Sequence, residues 1–138
     1  GEQWRAGAGL GATRNGEPIH VSGRTAIAGA RVPADVLPRT DGDLVPVFKP
    51  NSIALRIAMV AAGEADLLAT LRWGHEWDIA AAALIAQEAG ATVTDALGHP
   101  LRYNSTRGEA FGVLATTPGI HALAVERLRS RAEKASVR

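Results

Sequence analysis

In the second half of the chain, apolar residues recur at the spacing of two α-helices. The stretch 51–66, NSIALRIAMVAAGEAD, has a broad apolar face, and Ser52 near its start is typical of an N-cap. Gly63 suits the end of this helix, because glycine readily adopts the left-handed conformation found just past a helix C-terminus. A second, almost unbroken apolar run predicts a helix over 78–88, which Gly90 would end.

Short apolar stretches around these helices predict strands. They cover 67–71, 91–96 and 111–116. A last helix is expected to begin at Thr117-Pro118, because proline is favoured at the first helical position. Strands that alternate with helices predict an α/β fold, a layered sandwich with a mostly parallel or mixed sheet and flanking helices.

The first 50 residues follow a different pattern. Asn15-Gly16 lies between alternating apolar and polar residues and predicts a β-hairpin with a type I′ turn. The stretch 25–32 could form another strand, and 33–44 a short helix or loop. The stretch 45–48 predicts a short strand, which its proline places at an edge or makes irregular.

The hairpin does not fit the strand–helix alternation, and we interpret it as part of a second sheet. We predict a remnant of an antiparallel sheet over 1–30 and an α/β domain over 31–138. The hairpin over 7–22 should therefore lack sheet neighbours and leave an unpaired edge or an apolar patch.

Composition limits the possible classes of protein. The chain has 138 residues, no cysteine and a net charge of +1. Disulfides and thiolate metal sites are excluded, and nothing predicts binding to nucleic acid or to a membrane. A cytoplasmic protein fits this composition. The chain begins with Gly rather than Met, and we expect that it was cut or processed at its front.

Other local motifs do not support a known function, because they lack the structural context or the residue spacing that the function needs. GAGLGA (7–12) matches the dinucleotide-binding fingerprint but lacks the buried strand before it and the helix after it. The four histidines have no zinc-site spacing, and no G-x-S-x-G is present. The acidic turn TDGD (40–43) predicts a solvated loop. The basic tail predicts a solvated helix end, with the cations Arg127, Arg129, Arg131, Lys134 and Arg138.

Asp78 stands directly before the second apolar run and allows two interpretations. An acid before an apolar helix is most often an N-cap. The same place, at the end of the layers of an α/β fold, is where ligands collect. The residue could therefore also bind a metal ion, and local pattern alone leaves both possibilities open.

Four segments together resemble one family. Trp77-Asp78-Ile79-Ala80-Ala81, followed by Glu88-Ala89-Gly90, resembles the W-D-x-A-A/G and E-A-G-G strings of the inositol monophosphatase family, with Ala91 at the second glycine. VAAGEAD (60–66) and RNGEPIHVS (14–22) resemble two further segments of that family. This is a lithium-sensitive, magnesium-dependent phosphatase group, and it includes bacterial 3′(2′),5′-bisphosphate nucleotidases of the CysQ type.

The resemblance implies a site and a cofactor. In the family the Asp of W-D is a metal ligand beside the substrate, which implies that Asp78 binds Mg²⁺ and contacts the substrate. The family's small-residue segment at the start of the preceding helix offers its backbone to the substrate, and this implies Asn51, Ser52 and Ile53. Inositol-specific members have a Glu about two turns before the Asp. Here Thr70 and Leu71 lie near that place, and the segment looks closer to the CysQ-like branch.

The family's upstream metal-binding Glu and its D-P-x-D-G-T/S motif do not occur in the sequence. Phosphoryl transfer with two or more Mg²⁺ ions needs several carboxylates. The resemblance therefore predicts the C-terminal half of a sugar-phosphatase fold, inactive alone, which would act on a nucleotide bisphosphate or an inositol phosphate. Its protein partner would be the missing N-terminal half or a second copy in a homodimer. The alternative is a noncatalytic interaction or dimerisation module.

Overall fold

The protein is described by a computed structural model that covers residues 2–101 and 109–136, with side chains for all of these except 72–78, 109–111 and 136. Helices and strands alternate in its second half. The elements, in chain order, are β1 (Trp4–Gly7), β2 (Gly11–Arg14), β3 (Glu17–Pro18), β4 (Arg31–Pro33), a 3₁₀ turn (Arg39–Asp41), β5 (Val45–Val47), α1 (Ile53–Ala61), β6 (Leu67–His75), α2 (Glu76–Glu88), β7 (Thr92–Thr94), β8 (Glu109–Thr116), a second 3₁₀ turn (Pro118–Ile120) and α3 (His121–Ser136).

The first three strands form a small antiparallel sheet in the order β1-β2-β3. The hairpin predicted at Asn15-Gly16 is confirmed, because these two residues have φ of 53° and 82° and join the paired residues Arg14 and Glu17. Among the described residues no further strand pairs with β1 or β3, so both are edges. Leu10, in the β1–β2 turn, is 86% exposed. The expected open edge is therefore present.

The largest described sheet has the order β6-β8-β7 and is antiparallel throughout. The α/β fold with mixed sheets is confirmed, since β4 and β5 form a separate parallel pair. The expectation of a largely parallel sheet in the second half was wrong. Strands β6 and β7 run in the same direction, as their strand–helix–strand connection predicts, but β8 returns later in the chain and lies between them.

The β6-β8-β7 sheet has helices on both faces. Leu68, Val113 and Ala115 pack with α1 and α2, whereas Leu67 and Leu114 pack with α3 on the other face. Beyond α2, the β1-β2-β3 sheet joins the same core as the two helices, and alanines on α2 allow this close approach. No helix in the described ranges combines the length and the apolar character needed to cross a bilayer.

The predicted helix ends are mostly confirmed. The Ser52 hydroxyl accepts a hydrogen bond from the amide of Leu55 at 3.2 Å, and Gly63 and Gly90 have φ of 74° and 101°. Helix α2 begins at Glu76, within two residues of Asp78. Asp78 thus lies in the first turn of α2, two residues after its first residue, and not at the N-cap. The simple N-cap interpretation was therefore wrong.

The acidic turn and the basic helix were predicted to be solvated, and this was wrong for Asp41, which is buried, whereas Asp43 is exposed and Arg127 and Arg131 are half-buried. Arg131 donates to both oxygens of Asp41 at 2.8 and 2.9 Å, and Arg127 donates to both oxygens of Asp43 at 2.7 Å. Asp41 is buried, and the hydrogen bonds from Arg131 lower the pKa of Asp41. These pairs fasten α3 to the turn before β5.

The stretch 25–32 was expected to be a strand, but only its end becomes β4 (Arg31–Pro33). Before it, Ala30 donates its amide to the carbonyl of Ile27 at 3.0 Å, and Gly29 has a φ of 84°. This tight turn prevents an extended backbone, and the glycine that permits it was the available sequence signal.

Candidate functional site

Helices α1 and α2 end at the same place. The amide of Val21 donates to the carbonyl of Ala89, the residue directly after α2, at 3.0 Å. Gly63, just past α1, lies so close to the backbone of His20 that a Cβ on it would meet the carbonyl oxygen at 3.1 Å. Gly90, just past α2, packs against the Val21 side chain. The segment 20–22 therefore touches the C-terminal ends of both helices.

Residues of both helices also pack in one core, so we expect their N-terminal ends to lie on the same side, opposite the segment 20–22. From Ile53 to Gly63 the helical rise gives about 15 Å, and from Asp78 to Gly90 about 18 Å. We therefore expect the two predicted parts of the site, Asp78 and the segment 51–53, at the same end of the α1–α2 pair. Two adjacent helix starts concentrate free amide groups and positive dipole ends, which favour an anion.

Arg56 holds the backbone at the start of α1 through two side-chain bonds and the ordinary helical bond of its amide. Arg56 donates from its backbone N to the carbonyl of Ser52 at 3.1 Å, from Nε to that of Pro50 at 2.7 Å and from Nη2 to that of Asn51 at 2.9 Å. The amides of Ile53 and Ala54 have no acceptor among the described residues. Sequence reasoning did not identify Arg56, since an arginine one turn after a cap is ordinary.

The side chain of Asp78 lies outside the described residues, so its metal-ligand assignment remains a prediction. Asn51 and Ser52 are exposed and Ile53 is half-buried. The described residues contain no group of three His, Asp or Glu side chains that could hold a metal ion. Asp78 fits as one carboxylate of a Mg²⁺ site, and further ligands must come from elsewhere.

The opposite end of the helix pair is a closed polar joint around Asp66, which has no exposed surface. Its carboxylate accepts from the Ser22 hydroxyl and from Arg31 at 2.8–3.1 Å, and it forms an ion pair with Arg24 at 3.2 Å. Burial alone would raise the pKa of Asp66, but the hydrogen bonds from Arg31 and Ser22 lower it to about 2. Two of the resembling segments, 14–22 and 60–66, thus meet through Ser22 and Asp66.

A third resembling segment joins the same end of the helices. Glu88 accepts the amide of Gly11 at 2.8 Å. The hydrogen bond from Gly11, and those from Gly9 and Leu10, lower the pKa of Glu88. The glycine-rich GAGLGA turn thus offers its amides to a carboxylate of this chain, which supports its exclusion as a dinucleotide site.

Comparisons with known proteins agree on one family. The family model described as "Inositol monophosphatase family" matches residues 1–132. Rat inositol monophosphatase 2 is 36% identical over 121 residues, which cover 75% of this chain and 41% of that protein. The Pseudomonas aeruginosa Nus factor SuhB is 33% identical over 114 residues, which cover 70% of this chain and 41% of that protein.

Solved structures show the same fold. Inositol monophosphatase from Anabaena superimposes with a TM-score of 0.76 and 29% identity, over 94% of this chain and 54% of that chain. A staphylococcal IMPase-II, at 20% identity, superimposes over 96% of this chain and 57% of that chain. Its structures with inositol monophosphate and with 2'AMP give TM-scores of 0.75 and 0.76.

The chain spans about two fifths of the length of the curated relatives reported above. The matched region covers both small and large sheets, and it contains the resembling segments 14–22, 60–66 and 77–90 in order. The relatives reported above are inositol monophosphatases and a SuhB protein. They do not show the predicted closeness to the CysQ branch. This chain therefore belongs to the inositol monophosphatase family.

Proposed function

We propose that this chain forms the C-terminal half of a Mg²⁺-dependent phosphomonoesterase for a small phosphorylated substrate. The observation that carries the proposal is the shared C-terminal end of α1 and α2, which supports a common location for Asp78 and the segment 51–53 at the other end. A carboxylate and free amides at one place suit a phosphate group with a bound cation.

Each part of this end has a separate role in the proposal. Asp78 holds one Mg²⁺, and a bound Mg²⁺ supplies the charge that activates water and stabilises the leaving oxygen. The amides at the start of α1 donate hydrogen bonds to oxygen atoms of the substrate. The positive ends of the two helix dipoles favour the negatively charged phosphate.

The substrate is proposed to be a 3′(2′),5′-bisphosphate nucleotide, with an inositol monophosphate as the other candidate. Near the position where inositol-specific members have a Glu, Thr70 lies within β6 and its hydroxyl accepts the amide of Val113 at 2.9 Å. A hydroxyl engaged inside the sheet is poorly placed to bind a sugar. Structures of the staphylococcal protein contain inositol monophosphate in one case and 2'AMP, a nucleotide with one phosphate, in another, so an assay must choose between the two candidates.

An alternative function is a noncatalytic interaction or dimerisation module. It is favoured by a groove of about 650 Å³ between β1 and α1, lined by Trp4, Phe48, Leu55 and Met59. Phe48 is 79% exposed, and the buried indole N–H of Trp4 lacks a hydrogen-bond partner within the described part of the chain. An exposed groove with apolar side chains of this kind would suit a partner protein.

Phosphate release decides between the two functions. The chain is assayed with Mg²⁺ and 3′-phosphoadenosine 5′-phosphate or inositol monophosphate, alone and with the polypeptide encoded in frame upstream. We expect no hydrolysis by the chain alone and Mg²⁺-dependent hydrolysis after addition of the upstream half. Hydrolysis by the chain alone would contradict an incomplete site, and a complete protein without hydrolysis would favour the noncatalytic module.

A further inference from the structure

A cavity of about 200 Å³ lies between α3, β6 and the segment 27–44. Most of the side chains in its wall are aliphatic and buried or half-buried. The cavity lies on the face of the β6-β8-β7 sheet opposite to α1 and α2, so it is separate from the proposed phosphate site. Its wall includes Leu67 and Ala69 of β6, Ala124 and Leu128 of α3, and Ala34 and Leu44 of the segment.

Small side chains and a short connection leave this space. Ala34, Ala69 and Ala124 each contribute only a methyl group to the wall. Between β4 and β5, a stretch that the structure describes in full, the only helical turn is Arg39–Asp41, so no longer helix covers this part of the sheet. An unfilled cavity destabilises a protein in proportion to its volume. Apolar atoms that fill the space would therefore stabilise the fold.

Two ion pairs hold the walls of the cavity apart. Arg131 donates to both oxygens of Asp41 at 2.8 and 2.9 Å, and Arg127 donates to both oxygens of Asp43 at 2.7 Å. Each pair joins α3 to the segment 27–44, and the two parallel bonds of a guanidinium to a carboxylate fix both distance and orientation. Helix α3 therefore cannot move into the space without breaking these bonds, and the cavity is preformed.

The same ion pairs determine the charge of a suitable ligand. Asp41, Arg127 and Arg131 line the cavity beside its aliphatic wall. Each arginine is already paired with an aspartate, and the two pairs together have no net charge. An anion would have to displace an aspartate from its arginine, and a cation would have to displace an arginine from its aspartate. An uncharged ligand leaves both pairs intact, and breaking such a pair is costly.

We propose that this cavity is a binding site for a small uncharged apolar molecule, an aromatic ring or a branched hydrocarbon slightly larger than benzene. A dry protein cavity of about 150 Å³ lined by Leu, Ile and Phe binds benzene. The larger volume here leaves room for a few more atoms. The inference is independent of the proposed function, because none of the wall residues belongs to the predicted metal or substrate site.

The test is a titration of the 138-residue chain with benzene, followed by ¹H–¹³C NMR of its methyl groups, which the ring current of a bound benzene shifts. We expect saturable shifts at Leu44, Leu67 and Leu128. The methyl groups of Leu55 and Met59, in the exposed groove between β1 and α1, should stay unshifted. Benzoate, the same ring with a carboxylate, should bind at least about tenfold more weakly, because burial of an unpaired charge is unfavourable.

A substitution that fills the cavity should prevent binding. Ala34→Leu adds three carbon atoms to the wall and should weaken benzene binding by about tenfold or more, because close-packed atoms leave no room for the ring. Ala69→Leu fills the same space from β6 and replaces this variant if Ala34→Leu does not fold. The matched control is Ala62→Leu, at a half-buried alanine on the other face of the sheet, which should leave binding unchanged.

Three results would overturn the inference. The first is the absence of saturable shifts at the cavity methyl groups of the unmodified chain, or larger shifts at the groove. The second is binding of benzoate as tight as that of benzene. The third is unchanged benzene binding in a folded Ala34→Leu or Ala69→Leu variant, whose dispersed methyl spectrum shows that the fold is intact.

Discussion

The C-terminal and N-terminal ends of the α1–α2 pair differ in how their polar groups are used. At the C-terminal end, Asp66 and Glu88 accept hydrogen bonds from side chains or amides of the first 31 residues. At the N-terminal end, the amides of Ile53 and Ala54 have no acceptor in the described structure, and Asp78 stands in the first turn of α2. One end holds the layers together, whereas the other is open to a ligand.

This difference separates two roles within one set of resembling residues. The E-A-G segment and the Asp of VAAGEAD belong to the closed end, although they are as prominent in the sequence as W-D. Acids at the closed end should therefore affect stability, and the acid at the open end should affect activity. Substitutions at each end test the separation.

The largest expected effect is on turnover at the open end. In the complete enzyme, Asp78→Asn should lower kcat by orders of magnitude, because asparagine brings no negative charge to a metal ion. Stability should change by less than about 1 kcal/mol, the usual size of a helix-dipole interaction. Phosphate release and urea unfolding measure the two quantities.

The control for this substitution is Asp35→Asn. Asp35 is exposed and forms only a 3.5 Å pair with Lys49. The substitution Asp35→Asn should leave kcat unchanged. Near-normal turnover in Asp78→Asn would remove the metal-ligand assignment.

At the closed end, Asp66→Asn should destabilise the fold by roughly 3 kcal/mol, because breaking a buried ion pair leaves uncompensated charge on Arg31 and Arg24. The free energy of unfolding in urea measures this change. The matched control is Glu64→Gln, at a surface pair with Arg14 at 3.0 Å, which should cost less than about 1 kcal/mol. Equal effects of the two substitutions would contradict the closed joint.

The pH dependence of stability tests how much the charge of Asp66 stabilises the fold. The pKa of Asp66 is about 2 in the fold, against 3.8 for a free side chain, a difference of 1.8. This corresponds to about 2 kcal/mol of stability. Because the folded pKa is lowered, that stability is present above pH 3.8 and is lost as the pH falls toward 2.

Urea unfolding between pH 5 and pH 2 measures the contribution of the Asp66 charge to stability. Other paired carboxylates, among them Asp41 and Asp43, also lose stabilising charge in acid. The prediction therefore concerns the difference in unfolding free energy between the unmodified chain and Asp66→Asn. The gap in stability between the unmodified chain and Asp66→Asn should narrow as the pH falls. A constant gap would show that the charge of Asp66 contributes nothing.

Several local features could be predicted from the sequence because their causes are local. The Asn15-Gly16 turn, the Ser52 cap and the Gly63 and Gly90 helix ends each depend on the conformational preference of one or two residues. The position of β8 could not be predicted, because it pairs with strands on both sides after a long interval in the chain.

The candidate site was predicted only in part, for a related reason. Its two segments were named from a resemblance, and the proposal that they share one end rests on the contacts of residues 20–22 with Gly63 and Ala89. The pairs of Arg127 and Arg131 with Asp43 and Asp41 join residues 84 and 90 positions apart. No periodicity or spacing in a single sequence reports such contacts.

The smallest expected effect is at the start of α1. Ser52→Ala removes the hydroxyl that accepts the Leu55 amide and should cost about 1 kcal/mol in urea unfolding. Ser52→Asp keeps an acceptor at the cap and should restore most of this stability. If Ser52→Asp were as unstable as Ser52→Ala, the cap would not explain the loss.

The central claim is that Asp78 and the start of α1 form one open, cation-binding end. Mn²⁺, which prefers carboxylate and water ligands as Mg²⁺ does, broadens the NMR signals of nearby amides. We predict that Mn²⁺ broadens the amides of Asn51–Ala54 strongly in the unmodified chain but not in Asp78→Asn, and that Val21, Gly63 and Gly90, at the other end of the helices, are broadened much less. Broadening at 51–54 that persists in Asp78→Asn, or that appears instead at Gly63 and Gly90, would contradict the account.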